Sequence, residues 1–459
     1  MLKFDRNLLD KYNVAGPRYT SYPPATFFHT EYGNADYKES VIVSNKENPE
    51  NVSVYIHIPF CPQLCTFCGC TTYTGMGAKT IESYIDALIK EIDLVSQDIS
   101  TERKLTQVHW GGGTPNAISA KLIRKVTEAI KRNFSFADSY EMAMECSPAY
   151  LDFKMVDELR DMGFNRISLG VQDFKPEVLK AINRKAPRVP VKEMIAYLRK
   201  AGFSGINVDL VYGLPFQTRE SFNETVQMAL EADPDRLVTF SYAHVPSVMT
   251  RQKELEQYGL PGADEKITML EDAYNSAVNA GYVPIGMDHF AKPDDDFAIA
   301  LRDKKLHRNF QGYCTRETTG QVYGFGTSSI SQLFNAYSQN EKTIKAYMDR
   351  VEKDGRAVVR GYKLNQNEQI VRQVINELMC NYFVDFKQVA SDFDTSVSVV
   401  YKAVDFQLEK IQPFIIDELL ELANDELTVK GQGRFVIRNI AMAFDPALKS
   451  GKGQYSKTV

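Results

Sequence analysis

The sequence predicts an α/β fold built on a parallel sheet. Three observations lead there. After residue 50, short apolar runs of strand type alternate with longer runs of helical period. Polar or glycine-rich punctuation follows the short runs, where parallel sheets gather their ligands. From about residue 363 the alternation gives way to a mainly helical pattern, marking a smaller unit.

The elements read in order as follows. SVYIHI (53–58) is the first strand, and 79–95 a helix with Ile81, Tyr84, Ile85, Leu88 and Ile92 on one face. TQVHW (106–110) is the second strand, followed by a helix over 120–134. YEMAMEC, RISLGVQ, INVDLVYG and LVTFSY read as strands three to six, with helical segments between them. This series leaves an open barrel and a doubly wound sheet as alternatives. GPRYTSYPP (16–24) has neither period, and 283–340 is dense in His, Arg, Gly and aromatics. NEQIVRQVINELMCNYF is helical; the tail ending LTVKGQGRFVIRNIAMAFD is helix-rich, with a winged build as one option.

Composition narrows the function. The chain has 459 residues, a net charge of -5 and 44% hydrophobic residues, which allow a sizeable core and give no general pull toward nucleic acid or anionic lipid. No apolar run is long enough to span a bilayer. The N-terminal MLKFDRNLLDKYN is too charged for a secretory core, so a cytoplasmic location is expected.

Four of the seven cysteines crowd into HIPFCPQLCTFCGC (57–70), in the spacing Cys-x3-Cys-x2-Cys-x-Cys. Clustering of this kind points to metal chemistry in a reducing compartment rather than to a disulfide framework. A structural zinc site would need a second Cys or His pair downstream, and Cys146, Cys314 and Cys380 stand alone. His57 sits inside an alternating apolar run and reads as a strand residue. Three close thiolates can hold three irons of a four-iron cluster and leave the fourth open to an outside ligand. Other polar groups fall at strand ends: GGGTP (111–115) after strand two, Glu145 ending strand three, Gln172 strand four, Asp209 late in strand five, and Ala243-His244 after strand six. Singly, each has a plainer reading: a tight turn, a surface carboxylate or, for Arg184, a solvated helix-end charge.

Cys61-x3-Cys65-x2-Cys68 with Phe67 before the last cysteine resembles the signature of the radical S-adenosylmethionine (SAM) superfamily. The stretches GPRYTSYP, YIHIPFC, CTFCGC, HWGGGTP, GVQDF, NVDLVYGLP, YAHVP, GMDHFA, HRNFQGY and RNIAMAFD are together similar to the oxygen-independent coproporphyrinogen III oxidase family, in its order and spacing. The resemblance implies a partial (β/α)6 barrel over 51–362, an N-terminal arm over 1–50 across its mouth, and a small helical domain over 363–459. It implies a 4Fe-4S cluster on Cys61, Cys65 and Cys68. It also implies SAM contacts from Tyr55, Phe67, Gly112, Gly113, Thr114, Glu145, Gln172, Arg184, Asp209, Ala243 and Ile330, in a family described with two SAM sites. The implied reaction turns two propionates of coproporphyrinogen III into vinyl groups by way of a 5′-deoxyadenosyl radical, giving protoporphyrinogen IX. A low-potential donor such as flavodoxin or ferredoxin, a monomeric state, and no nucleic-acid or membrane partner complete the expectation.

Further roles are expected of Cys70, Arg18 and Arg308. Cys70, across Gly69 from Cys68, is expected to point away from the cluster and to act in the reaction. Arg18, with Tyr19 and Tyr22 beside it, and His307-Arg308 are candidates to grip propionates. Family members often carry an acid or amide where this chain has Ser147, a departure that touches polar contacts near SAM. Two rivals remain at this level: a related heme-binding chaperone without oxidase activity, and a zinc-stabilised nucleic-acid module. Cys70, the arm and GVQDF favour the oxidase over the chaperone.

Overall fold

The computed structural model describes residues 3–315 and 320–450. Its centre is a sheet of β1 (Val52–Ile58), β2 (Lys104–Gly112), β3 (Ser135–Cys146), β4 (Arg166–Gln172), β5 (Gly205–Tyr212) and β6 (Arg236–Ser241). These six lie side by side in sequence order, all parallel. Helices return the chain between them, from Ala78–Val95 after β1 to Arg219–Glu231 after β5.

The sheet continues past both ends of this set. On one side β6 pairs antiparallel with β8 (His289–Ala291), which pairs with β7 (Val283–Ile285). A separate ribbon of β9 (Leu306–Asn309) and β10 (Gly312–Thr315) follows. On the other side β11 (Gln321–Phe325) runs parallel beside β1, and β12 (Ile330–Gln332), β13 (Ala336–Asn340) and β14 (Val358–Lys363) extend it antiparallel. The twelve-stranded sheet therefore ends in β14 and β7 and stays open rather than closing.

Side-chain alternation separates two faces. Ile56, Val108, Trp110, Met142, Ile167, Leu169, Val208 and Leu237 are buried in the main apolar cluster, together with Ile85, Leu88 and Ile92 of the first long helix. The alternate residues His109, Glu141, Glu145, Ser168, Asn207, Asp209 and Val238 line a single cavity, so the sheet curves around that face. Charge reaches deep here: Arg166 Nε lies 2.7 Å from Glu141 Oε2, and Arg236 Nε 2.9 Å from Asp295 Oδ1. Nearly buried charges of this kind persist because they are paired.

The C-terminal unit has its own apolar core. Helices Gln366–Asn381, Phe386–Asp392, Val397–Ala403 and Leu408–Ile416 accompany a three-stranded sheet of β15 (Phe383–Asp385), β16 (Leu420–Ala423) and β17 (Glu426–Val429). The N-terminal stretch divides between the two cores. Phe4, Leu9, Tyr12, Tyr19 and Tyr22 pack into the C-terminal one, whereas the helix Asn34–Ser44 packs Tyr37 and Val41 against the main sheet. Among the described residues no helix is long and apolar enough to cross a membrane.

Candidate active site

The cysteine loop leaves β1 and is stitched to its neighbours through backbone. Cys61 N–H donates to Tyr73 O (2.9 Å), Gly113 N–H to Ile58 O (2.8 Å), Thr114 N–H to Phe60 O (2.9 Å) and Thr66 N–H to Ile182 O (3.1 Å). Arg251 Nε donates to Cys68 O at 3.1 Å and Gln252 Nε2 to Phe67 O at 3.0 Å, tying the loop to the segment after β6. Pro59, Pro62 and Gly69 fit a loop held by such bonds rather than by a helix or strand ladder.

The thiols sit among donors. Thr114 Oγ1 donates to Cys61 Sγ at 3.4 Å, and Arg184 Nη1 lies 3.6 Å from Cys65 Sγ. Arg184 Nη2 also donates to the Gly170 carbonyl, so this residue is turned inward onto the loop. Burial raises the Cys61 and Cys65 thiols, with Arg184 opposing the rise at Cys65. A hydrogen bond from Cys70 leads in lowering the Cys68 thiol below its usual range. Among the described residues no three His, Cys, Asp or Glu side chains are gathered as a single metal ion requires. Three thiols with hydrogen-bond donors to their sulfurs suit the larger cluster: such bonds tune iron–sulfur centres.

The glycines of GGGTP answer to this loop. A Cβ on Gly113 would stand 2.7 Å from Phe60 O and 3.0 Å from Cys61 Sγ. Gly112 has φ +110°, and a Cβ there would meet the His57 ring at 2.8 Å. We expect Gly113→Ala to displace Cys61 and lose most of its iron after anaerobic reconstitution, with far-ultraviolet circular dichroism unchanged. His57 is a strand residue: its Nδ1 is 3.1 Å from Tyr55 Oη and its Nε2 3.1 Å from Thr71 O.

The cavity measures about 900 Å³, at the upper end of ordinary ligand sites. Tyr55, Phe67, Cys70, Glu145, Gln172, Asp209, Ala243 and Arg18 all line it. Gly112, Gly113, Thr114 and Arg184 instead form the framework of the cysteine loop. Ile330, on β12, packs near Phe28, Tyr337 and Leu364 and does not line this cavity among the described residues. Arg308 also lies outside the lining, but its guanidinium carbon is 5.0 Å from the ring centre of Tyr313, which does line it. Asp288 is the acid whose charge faces Arg308.

Electrostatics differ between the two carboxylates on the inner face. Burial pushes Glu145 up, but the His109 Nε2 contact at 2.9 Å and the charge beside it hold it below the usual range. Burial dominates at Asp209 and pushes it up to about 6, against a 2.7 Å hydrogen bond from Ser168 Oγ. Gln172 has φ +71° at a register shift between β4 and β5, which turns its side chain away from plain strand alternation.

Cys70 departs from expectation. Its backbone N–H donates to Cys68 Sγ at 3.4 Å and its thiol hydrogen-bonds the same sulfur, so it folds back toward Cys68 instead of pointing away. Ser147 exchanges backbone bonds of 3.0 Å with the Asn116 amide, leaving the departure at this position without a side-chain role in those bonds.

Several site residues carried no distinct sequence signal. His109 braces Glu145, and Arg438 and Lys266 lie close enough to Arg18 for its charge to lower both. His109 alone was findable, as the residue that alternates with buried Trp110 on β2.

Residues 55–229 match the family model of the radical SAM superfamily. The chain is 39% identical to an oxygen-independent coproporphyrinogen III oxidase of Synechocystis sp., covering 100% of this chain and 98% of the relative. It is 38% identical to the Escherichia coli protein of the same name, covering 100% and 99%. The solved E. coli coproporphyrinogen III oxidase HemN, described as a radical SAM enzyme, superimposes with a TM-score of 0.88 at 36% identity, over 97% of this chain and 99% of that one. With relatives of 38% and 39% identity matched from end to end, the chain belongs to the oxygen-independent coproporphyrinogen III oxidase family.

Proposed function

We infer that the protein decarboxylates two propionate side chains of coproporphyrinogen III oxidatively to vinyl groups, giving protoporphyrinogen IX in porphyrin and heme synthesis. One observation carries this reading: Phe67, Gly69 and Cys70 of the cysteine loop line the same cavity as Glu145, Asp209 and Arg18. When bound, a reduced four-iron cluster and SAM supply a 5′-deoxyadenosyl radical that takes a hydrogen atom from the propionate β-carbon. That C–H bond is unactivated, and no side-chain base removes its proton near neutral pH. Each propionate then loses CO2 and one electron, and the electron leaves to an outside acceptor.

The chain's part is to hold and shield. In this reading Cys61, Cys65 and Cys68 hold three irons, and Thr114 and Arg184 donate to their sulfurs. Glu145, fixed by His109, accepts from the SAM ammonium, and Asp209 accepts from ribose hydroxyls. Tyr55, Phe67, Gly112, Gly113, Gln172 and Ala243 complete the SAM contacts. A second SAM, with Ile330 among its contacts, also belongs to the proposal. So do a cytoplasmic location, a monomeric state and a low-potential donor such as flavodoxin or ferredoxin.

Asp209 gives a pH test. Only its ionised form accepts from both ribose hydroxyls, and its carboxyl lies at about 6. SAM affinity is therefore full above that value and falls as Asp209 protonates, by about tenfold between pH 7 and pH 5. Glu145, His289 and Arg184 also act on this carboxyl. Calorimetric titration with SAM checks the trend, and Asp209→Asn should flatten it.

Propionate grip is assigned to a cluster of cations. Arg18 is exposed and, among the described residues, has no ion-pair partner. Arg438 holds the arm just before it, donating from Nε to Pro17 O (3.1 Å) and from Nη2 to Gly16 O (3.0 Å). Burial, then the charges of Arg18 and Arg308, lower Arg438 to about 10. Burial and Arg18 likewise lower Lys266. Gathered cations favour an anionic guest, and coproporphyrinogen III brings four carboxylates. A guanidinium grips a carboxylate bidentately, which lysine cannot copy. Arg18→Lys and Arg308→Lys should each lower protoporphyrinogen IX formation by about tenfold while leaving most 5′-deoxyadenosine formation intact. Equal loss of both products would make these arginines structural.

The test of the function is anaerobic incubation of reconstituted protein with SAM, a reductant and coproporphyrinogen III, followed by porphyrin analysis. Heme binding without SAM-dependent decarboxylation would overturn the reading.

A further inference from the structure

A second cavity, of about 360 Å³, opens against the cysteine loop. It shares no lining residue with the larger one. Phe174, Pro176, Leu179 and Pro187 give it an apolar wall, and Gln63 of the loop, Lys180 and Arg184 also line it. Gln63 Nε2 donates to Asn183 O at 2.9 Å, so the loop and this groove are joined directly. Arg184 spans the two, lining the groove while its Nη1 lies 3.6 Å from Cys65 Sγ.

The segment around the groove is basic in a chain whose net charge is -5. Residues 174–193 carry six Lys or Arg against two Glu. Lys175 is paired with Glu224, and Arg188 with Asp152 at 2.8 Å. Lys180 and Lys185 are exposed and have no ion-pair partner among the described residues; Lys185 only rests its Nζ 5.4 Å over the Tyr150 ring. Their charge thus faces solvent: Lys180 lines the groove, and Lys185 follows Arg184 on the same exposed segment.

We propose that this groove is the docking surface for a small acidic electron-carrier protein that reduces the cluster. The proposal rests on the radical SAM reading, which requires one electron for each SAM cleaved. The carrier's reduced flavin or iron–sulfur centre loses that electron and the cluster gains it, with no atom transferred. An apolar patch bordered by Lys180, with Lys185 close by in the chain and both without an ion-pair partner among the described residues, suits such a partner. Electron-transfer encounters bury little area, and opposite charge speeds their formation. Arg184 brings the docking face within one side chain of Cys65.

The experiment uses the full-length reconstituted protein, a flavodoxin as the acidic probe, and the double variant Lys180→Glu/Lys185→Glu, which leaves every proposed cluster, SAM and propionate residue in place. Calorimetric titration at low ionic strength should show saturable binding to the unaltered protein that weakens with salt. Binding to the variant should be about tenfold weaker or more. Flavodoxin-driven 5′-deoxyadenosine formation should fall in parallel, while the dithionite-driven rate stays unchanged. Equal affinity of both proteins, or no saturable binding to the unaltered one, overturns the proposal. Loss of the dithionite-driven rate in the variant alone also overturns it, because the lysines would then serve the site itself. Absence of dithionite-driven 5′-deoxyadenosine in the unaltered protein instead removes the radical SAM reading on which the proposal stands.

Discussion

Cys61→Ser, Cys65→Ser and Cys68→Ser are each expected to abolish the brown chromophore after anaerobic reconstitution, with iron and acid-labile sulfide near background. Serine keeps the size and the local hydrogen bond but replaces a soft thiolate by a hard, weakly acidic hydroxyl that binds iron–sulfur clusters poorly. The structure makes the loss local. The loop is held by backbone bonds such as Cys61 N–H to Tyr73 O, which a Ser side chain leaves untouched. The variants should therefore keep their circular dichroism and thermal midpoint in the metal-free state. Full iron and sulfide in all three would refute the assignment.

Cys70→Ala should behave in the opposite way, keeping the cluster and losing porphyrinogen conversion. Cys70 is an exposed thiol that lines the large cavity. Its tie to Cys68 includes a backbone N–H at 3.4 Å, which alanine retains. Four protein thiolates on one cluster would leave no iron for SAM, so Cys70 has no place as a ligand in the proposed chemistry. The expected outcome is normal iron and sulfide, continuing 5′-deoxyadenosine release, and protoporphyrinogen IX reduced by about a hundredfold, in the range of removing one group that acts on the reacting substrate. Cluster loss in this variant would count against the role.

The parts legible in the sequence were those with strong period and chemistry. The six parallel strands were readable because Val54, Ile56, Val108, Trp110, Ile167 and Leu169 are buried behind helices, and burial of alternate residues leaves a period of two. The strand-end residues Glu145, Gln172 and Asp209 were readable because strand ends locate them, and the cysteines because their spacing is local in the chain. The extension of the sheet was not. β7, β8 and β12 have three residues each, too short for a period to register. β11, QVYGF, is buried along its whole length despite a glutamine, whose amide is satisfied by Ser44 and Glu47 far away in the chain and by the nearer Phe334. β3 begins at Ser135, five residues before its apolar run, in the polar stretch SFADS. The helix Asn34–Ser44 buries Ser40 and Ser44 beside Tyr37 and Val41, so it shows no apolar stripe. Arg438 and Lys266 approach Arg18 only through tertiary packing, which no local pattern encodes.

The place of β11 beside β1 sets an order on how the molecule is made. Val52 pairs with Gln321 and Ile56 with Phe325, about 270 residues apart in the chain, and Tyr19 reaches Asp445 in the same long-range way. Contacts of such sequence separation form late, since the loop between them must be closed first. During synthesis the outer edge of β1, next to the cysteine loop, therefore waits with its backbone unpaired until the ribosome has released residues beyond 325. The arm bearing Arg18 waits longer, for the helix Ile437–Met442. Iron–sulfur assembly on a nascent chain would meet an unfinished barrel, so insertion after release is the order this topology favours.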